Sequence, residues 1–217
     1  MFGLFGRKKE TVHEPERQQK ANPGKRRIYV FDFDRTITIL HTGAIAYGKE
    51  LTGAFVQKNV KKGFADFVRR IVGSGHAVYI ASYSDDANAE TVEADAVSGH
   101  DLIKFYMDEI FGPEQAIFMK YRGEAAGTAD PPGNIIALNS QDFKQYHLDI
   151  IMKQENLDPE NPEDMKRIFL LEDDEDVVRH FMEKGCTTIV PYSASRSADT
   201  VATKTLFTAY MPESFLT

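Results

Sequence analysis

The sequence predicts an α/β fold with a mainly parallel sheet and helices on both faces. Two observations carry this. Short apolar, β-rich runs alternate with segments of helical period from residue 28 onward. Three of those runs end abruptly in polar side chains, as the strands of an open parallel sheet do where ligands bind. No internal repeat is visible.

The first run, IYVF (28–31), leads directly into Asp32 and Asp34. Val60, Phe64, Phe67, Val68 and Ile71 then recur at helical spacing, predicting an amphipathic helix from about Val60 that ends near GSG. HAVYIA (76–81) follows as a second buried strand, running into Ser82 and Ser84. DDANAETVEADAV and HDLIKFYMDEIF read as helices, the latter through Leu102, Ile103, Tyr106, Met107 and Ile110. Residues 121–134 are loop-like, rich in Gly, Ala and Pro. A helix is expected from about Phe143 to Glu155, before the polar turn NLDPENPED. RIFLL (167–171) is a third buried strand, ending in Glu172, Asp173 and Asp174. The last helix carries Val177, Val178, Phe181 and Met182, with Gly185 placed to cap it. CTTIV, including a buried thiol at Cys186, makes a fourth strand.

The 217 residues suit one substantial core. The charge of −7 is unevenly spread: residues 1–27 carry eight basic residues against three acids and net +5, leaving −12 on the rest. The division expected is a flexible basic tail (1–27), a catalytic domain (28–191) and a C-terminal extension (192–217) that is either a last helix or a recognition tail. An acidic body argues against a general nucleic-acid binder. One cysteine excludes an intramolecular disulfide framework and a Cys-cluster zinc site. No apolar run is long enough to cross a bilayer, and MFGLFGRKK is too short for a signal-peptide core, so a cytoplasmic protein is expected. Phe2, Leu4 and Phe5 beside Arg7, Lys8 and Lys9 offer at most a weak membrane-surface contact.

Carboxylates clustered at the ends of buried strands repel one another unless a cation neutralises them. A divalent ion with hard oxygen ligands does so, and Mg²⁺ is the usual partner of carboxylates plus a phosphate. Of two carboxylates so placed, one can attack phosphorus and the other can protonate the leaving oxygen and later activate water. A serine hydroxyl would donate to a phosphate oxygen, and a lysine would offset the charge of nucleophile and phosphate.

The residues resemble the haloacid dehalogenase superfamily over roughly 28–191. FDFDRT (31–36) is similar to its first motif, D-x-D-x-T, which implies Asp32 as nucleophile and Asp34 as general acid/base, with the Asp34 backbone carbonyl also on Mg²⁺. HAVYIAS resembles the second motif and implies Ser82 as a phosphate-binding residue. Lys144 in SQDFKQYHL occupies the place of the third-motif lysine, and FLLEDDEDVV resembles the fourth motif, implying Asp173 on the metal with Glu172 beside it. The implied fold is a Rossmann-like three-layer sandwich. The implied activity is a Mg²⁺-dependent phosphatase working through an aspartyl phosphate.

The chain departs from the family pattern in places. Arg35 stands where many relatives have Gly and could contact substrate or close the site. Val177 stands where other branches carry a second metal-side acid, leaving Asp174 or Asp176 as substitutes. Lys120 is the second candidate for the lysine, and Ser84 for the phosphate ligand. His41 reads preferentially as structural rather than as a residue at the mouth of the site, and His147 as a packing or capping residue. LLEDDEDVV also resembles the acidic opening of a receiver domain, but only 43 residues follow Asp174, against the roughly 110 such a domain needs. Only about residues 37–59 remain for a cap, so a minimally capped, open site is expected. Such a site admits bulky substrates such as phosphoproteins, with small-molecule or nucleotide phosphates, or a catalytically silent phosphate-binding module, as alternatives.

Overall fold

The computed structural model describes residues 26–43, 45–83, 96–115, 133–138 and 142–191. The apolar N-terminal residues and most of the basic tail, Ser84, most of the helix expected at 85–97, Lys120, most of the 121–134 loop and the 192–217 extension lie outside them.

Five strands form one fully parallel sheet: β1 (Ile28–Phe31), β3 (Ala77–Ser82), β5 (Ile135–Ala137), β6 (Ile168–Leu171) and β7 (Thr187–Ile189), in the order β5-β3-β1-β6-β7. The strand β1 is central, pairing Phe31 with Ile80 on one side and Leu171 on the other. The strand β6 finishes level with it, and β3 runs two residues further, to Ser82. The edge strand β5 was not expected from the sequence, which showed no strand between the 121–134 loop and the helix from about Phe143. Three residues are too short a run to show a period.

Side-chain alternation divides the strands between two cores. Tyr29, Phe31, Val78, Ile80, Phe169 and Leu171 face one layer, formed by α1 (Gly53–Asn59), α2 (Phe64–Gly73) and α3 (Gly99–Phe111). Ile28, Val30, Tyr79, Ala81, Ile168 and Leu170 face the other, formed by α4 (Gln145–Glu155), α5 (Pro162–Met165) and α6 (Glu175–Glu183). Burial on both faces explains why β1, β3 and β6 read as continuous apolar runs. Phe67 packs edge-on against both Tyr29 and Phe31, at ring distances of 6.0 and 5.9 Å.

Three local expectations are corrected. The helix foreseen from Val60 begins at Phe64, after Gly63 in a left-handed conformation (φ 87°); Val60 instead bridges to Thr38. Val97 lies not in a helix but in β4 (Val97–Ser98), which pairs antiparallel with β2 (Ile45–Ala46). Met182 is exposed, because only Val177, Val178 and Phe181 of α6 turn toward the sheet. Among the described residues no helix is long and apolar enough to cross a membrane.

Candidate functional site

A cleft of about 410 Å³ opens at the carboxyl ends of the strands. Its walls include Asp32, Asp34, Arg35, Ser82, Lys144, Glu172 and Asp173, the first-ranked candidates for chemistry, whereas Asp176 does not line it. They come from four separate stretches of chain.

The sheet explains how. Asp32 directly follows β1, its N–H donating to the Leu171 carbonyl at 2.9 Å, and Glu172 directly follows β6. Asp32 continues the alternation of Ile28 and Val30, and Glu172 that of Ile168 and Leu170, so both aim at the layer containing α4. Lys144 stands at the start of α4 and is buried. Its Nζ donates to Asp32 Oδ1 and to Glu172 Oε2, each at 2.6 Å. Phe143 and Lys144 both adopt left-handed backbone (φ 54° and 64°), a costly pair for non-glycine residues that turns the lysine inward.

Burial would lower the Lys144 ammonium, but the charges of Asp32 and Glu172 and the hydrogen bonds to both overcome it and hold the group charged. Burial raises the carboxyls of Asp32 and Glu172 above their ordinary range, with Lys144 opposing. Burial raises Asp173 as well, against the nearby positive charges of Arg35, Lys61 and Lys144.

After Asp32 the strand gives way to a tight turn, Phe33–Ile37, in which Asp34 is extended and Arg35 is left-handed (φ 59°). Asp34 therefore does not simply repeat Asp32 two residues along a strand. Its Oδ1 accepts from the Thr42 N–H at 2.9 Å, and its Oδ2 lies 2.9 Å from His41 Nδ1. His41 is exposed and lines the mouth of the cleft, where its Nδ1 also accepts from the Gly43 N–H at 2.8 Å.

Ser82 ends β3 and is buried; its carbonyl meets His147 Nε2 at 3.0 Å and the Leu138 N–H at 3.0 Å. His147 packs as expected, fully buried, and burial pushes its pKa down to about 4. Tyr83 also lines the cleft, its ring 5.1 Å from Lys144 Nζ.

The donor set fits a divalent cation. One carboxylate oxygen each from Asp32, Glu172 and Asp173 lie within 4.8 Å of one another. Glu172 is already engaged at both oxygens, Oε2 by Lys144 and Oε1 by the N–H groups of Asp173 and Asp174. Asp174 lines the cleft but caps α6, accepting from the Asp176 and Val177 N–H groups, whereas Asp176 pairs with Arg179.

Lys61 went unnoticed in the sequence. In QKNVKKG it reads as one of several solvated lysines, yet it is 3% exposed and its ammonium donates to the Arg35 carbonyl. The feature that buries it is a tertiary bridge without local signature. No protein-family model matches the chain, and no curated protein matches it.

Proposed function

We propose that the chain is a phosphomonoester phosphatase of the haloacid dehalogenase type, working through an aspartyl phosphate. The observation that carries this reading is the Lys144 ammonium held between Asp32 and Glu172 in a cleft shared with Asp34 and Ser82. A strand-end carboxylate fixed by a buried cation, with a second carboxylate one turn on, suits in-line attack on phosphorus followed by hydrolysis.

Asp32 supplies the nucleophilic oxygen, forming an O–P bond as the ester oxygen leaves. Asp34 delivers its proton to that oxygen and then takes one from the water that cleaves the acyl phosphate. Lys144 favours the ionised form of Asp32 and offsets charge on the phosphoryl oxygens, and the Ser82 hydroxyl donates to one of them. Arg35, at the cleft beside Asp34, contacts the substrate on its leaving-group side. Mg²⁺ fits Asp32, Asp173 and the Asp34 carbonyl, with Glu172 beside them holding Lys144; when bound it neutralises the carboxylates and polarises the phosphoryl group. The open mouth suits a bulky substrate such as a phosphoprotein.

The test is turnover of p-nitrophenyl phosphate with Mg²⁺, then of a panel of phosphopeptides, nucleotides and sugar phosphates. Asp32→Asn should abolish turnover, and surviving activity would overturn the reading. Phosphate binding without turnover in the wild type would favour a silent binding module.

A further inference from the structure

The Asp34–Arg35 turn is braced from both sides. Residues 37–39 run antiparallel to 59–61, with the Ile39 N–H on the Asn59 carbonyl at 2.6 Å and the Lys61 N–H on the Ile37 carbonyl at 2.9 Å. Asn59 is itself buried, its Nδ2 donating to the Tyr106 hydroxyl at 2.9 Å and its Oδ1 accepting from the Leu40 N–H at 2.8 Å. This anchored segment brings Lys61 to the Arg35 carbonyl. On its other side the Arg35 N–H donates to Thr38 Oγ1 at 3.0 Å, and that hydroxyl lies 2.7 Å from the Leu40 carbonyl, to which it donates. Both backbone polar groups of Arg35 are therefore held.

The need for this is in the backbone. A left-handed conformation at an arginine costs on the order of 1–3 kcal/mol and persists only where neighbours over-determine it. A buried ammonium is costly in turn, and Lys61 has no carboxylate within ion-pair distance among the described residues. Burial lowers its pKa to about 8, with Asp173 and Asp32 acting from a distance to raise it. It does not line the cleft, and no step above uses it.

We propose that Lys61 is a positioning residue: its ammonium locks the left-handed Arg35 peptide and so aims the Asp34 carboxyl at the leaving group. This rests on the phosphatase reading. Phosphate capture by Ser82 and Lys144 lies on other elements and does not depend on the lock.

The experiment compares wild type with Lys61→Met, Lys61→Gln as a second neutral variant, and Lys61→Arg, which retains charge and donors. Two substrates are used: p-nitrophenyl phosphate, whose leaving group needs little protonation, and glycerol phosphate, whose alkoxide needs it fully. In the neutral variants kcat on glycerol phosphate should fall about 100-fold, the lower end of what a general acid contributes. The fall on p-nitrophenyl phosphate should be severalfold at most, with KM on both substrates within about threefold and Lys61→Arg recovering most of the loss. Equal losses on both substrates, or a change in KM alone, would overturn the positioning role. Amide exchange at Arg35 is read in parallel and needs no turnover: it should speed at least about tenfold in the neutral variants. An Arg35 amide as protected as in wild type sinks the lock whatever the activity. Wild-type protein inert on every phosphoester sinks the phosphatase reading and the catalytic role with it.

Discussion

Replacing Lys144 by Met should destabilise the fold by several kcal/mol at neutral pH, and the deficit should shrink as the solution is acidified. The methionine keeps most of the buried volume and bears the same left-handed backbone, so the change isolates the charge. Lys144 is the shared partner of two buried carboxylates, each 2.6 Å from its Nζ. Without it Asp32 and Glu172 face each other uncompensated, and the cheapest escape is to bind one proton between them. At pH 7 protonating a carboxyl of ordinary pKa near 4 costs about 4 kcal/mol, at 1.36 kcal/mol per unit. That agrees with the 3–5 kcal/mol typical of breaking a buried ion pair.

The sign follows from proton linkage. The variant's native state binds more protons than its unfolded chain, so its stability falls as pH rises; in the wild type Lys144 opposes the upward shift of both carboxyls, so the same fall is smaller. The deficit should therefore narrow by up to about 1.4 kcal/mol per unit from pH 7 toward pH 5. Urea denaturation of both proteins at pH 7, 6 and 5, with divalent ions chelated, measures it. A deficit below about 1 kcal/mol at pH 7, or one unchanged at pH 5, would show that Lys144 does not compensate the two buried carboxylates.

Two further outcomes are expected. His147 is neutral in the fold, its pKa pushed down to about 4 by burial, while the unfolded chain takes up a proton below about 6.5; its contribution to stability is thus lost as pH falls through that window, by about 2 kcal/mol between pH 7 and pH 5. His147→Phe should flatten the denaturation midpoint over the same interval, and an unchanged slope would exclude the histidine as its source. Asp174→Ala removes the cap of α6 and should cost about 1 kcal/mol, whereas Asp174→Asn, which keeps an accepting oxygen, should cost a few tenths; equal losses in the two variants would show that the cap is not what the side chain contributes.

What was legible in the sequence was legible for physical reasons. A strand buried on both faces has to be apolar throughout, so IYVF and RIFLL declare themselves, and the carboxylates that stop them mark the sheet edge. Lys144 could be singled out because a helix opens beside it. Its left-handed backbone, shared with Phe143, has no sequence signal, since neither residue is glycine or asparagine. The strand β5 was too short to show a period. Lys61 was missed, and the place of His41 at the cleft ranked second, for one reason: both lie between Ile37 and Phe64, where position is set by a bridge, a ribbon and a histidine–carboxylate contact rather than by local preference. Val60 failed for the same reason, its spacing matching α2 while its backbone belongs to the bridge.

The two buried lysines divide the site in a way that follows from strand alternation. Asp32 and Glu172 share the parity of residues packed against the α4 layer, and Lys144 meets them there. Asp173 has the opposite parity, that of Phe169 and Leu171, and the positive charges acting on it include Arg35 and Lys61 from the turn and bridge on that side. Five carboxylates line the cleft, Asp32, Asp34, Glu172, Asp173 and Asp174, against Arg35 and Lys144, and even with the nearby Lys61 ammonium the charge stays negative and opposes a phosphate dianion. A bound divalent cation would offset that charge and remove the opposition. A lysine from each layer is thus enough to let the carboxylates gather at one sheet edge, but not to make that edge attractive to phosphate. That remaining deficit is the strongest physical reason behind the proposal of a metal in this cleft.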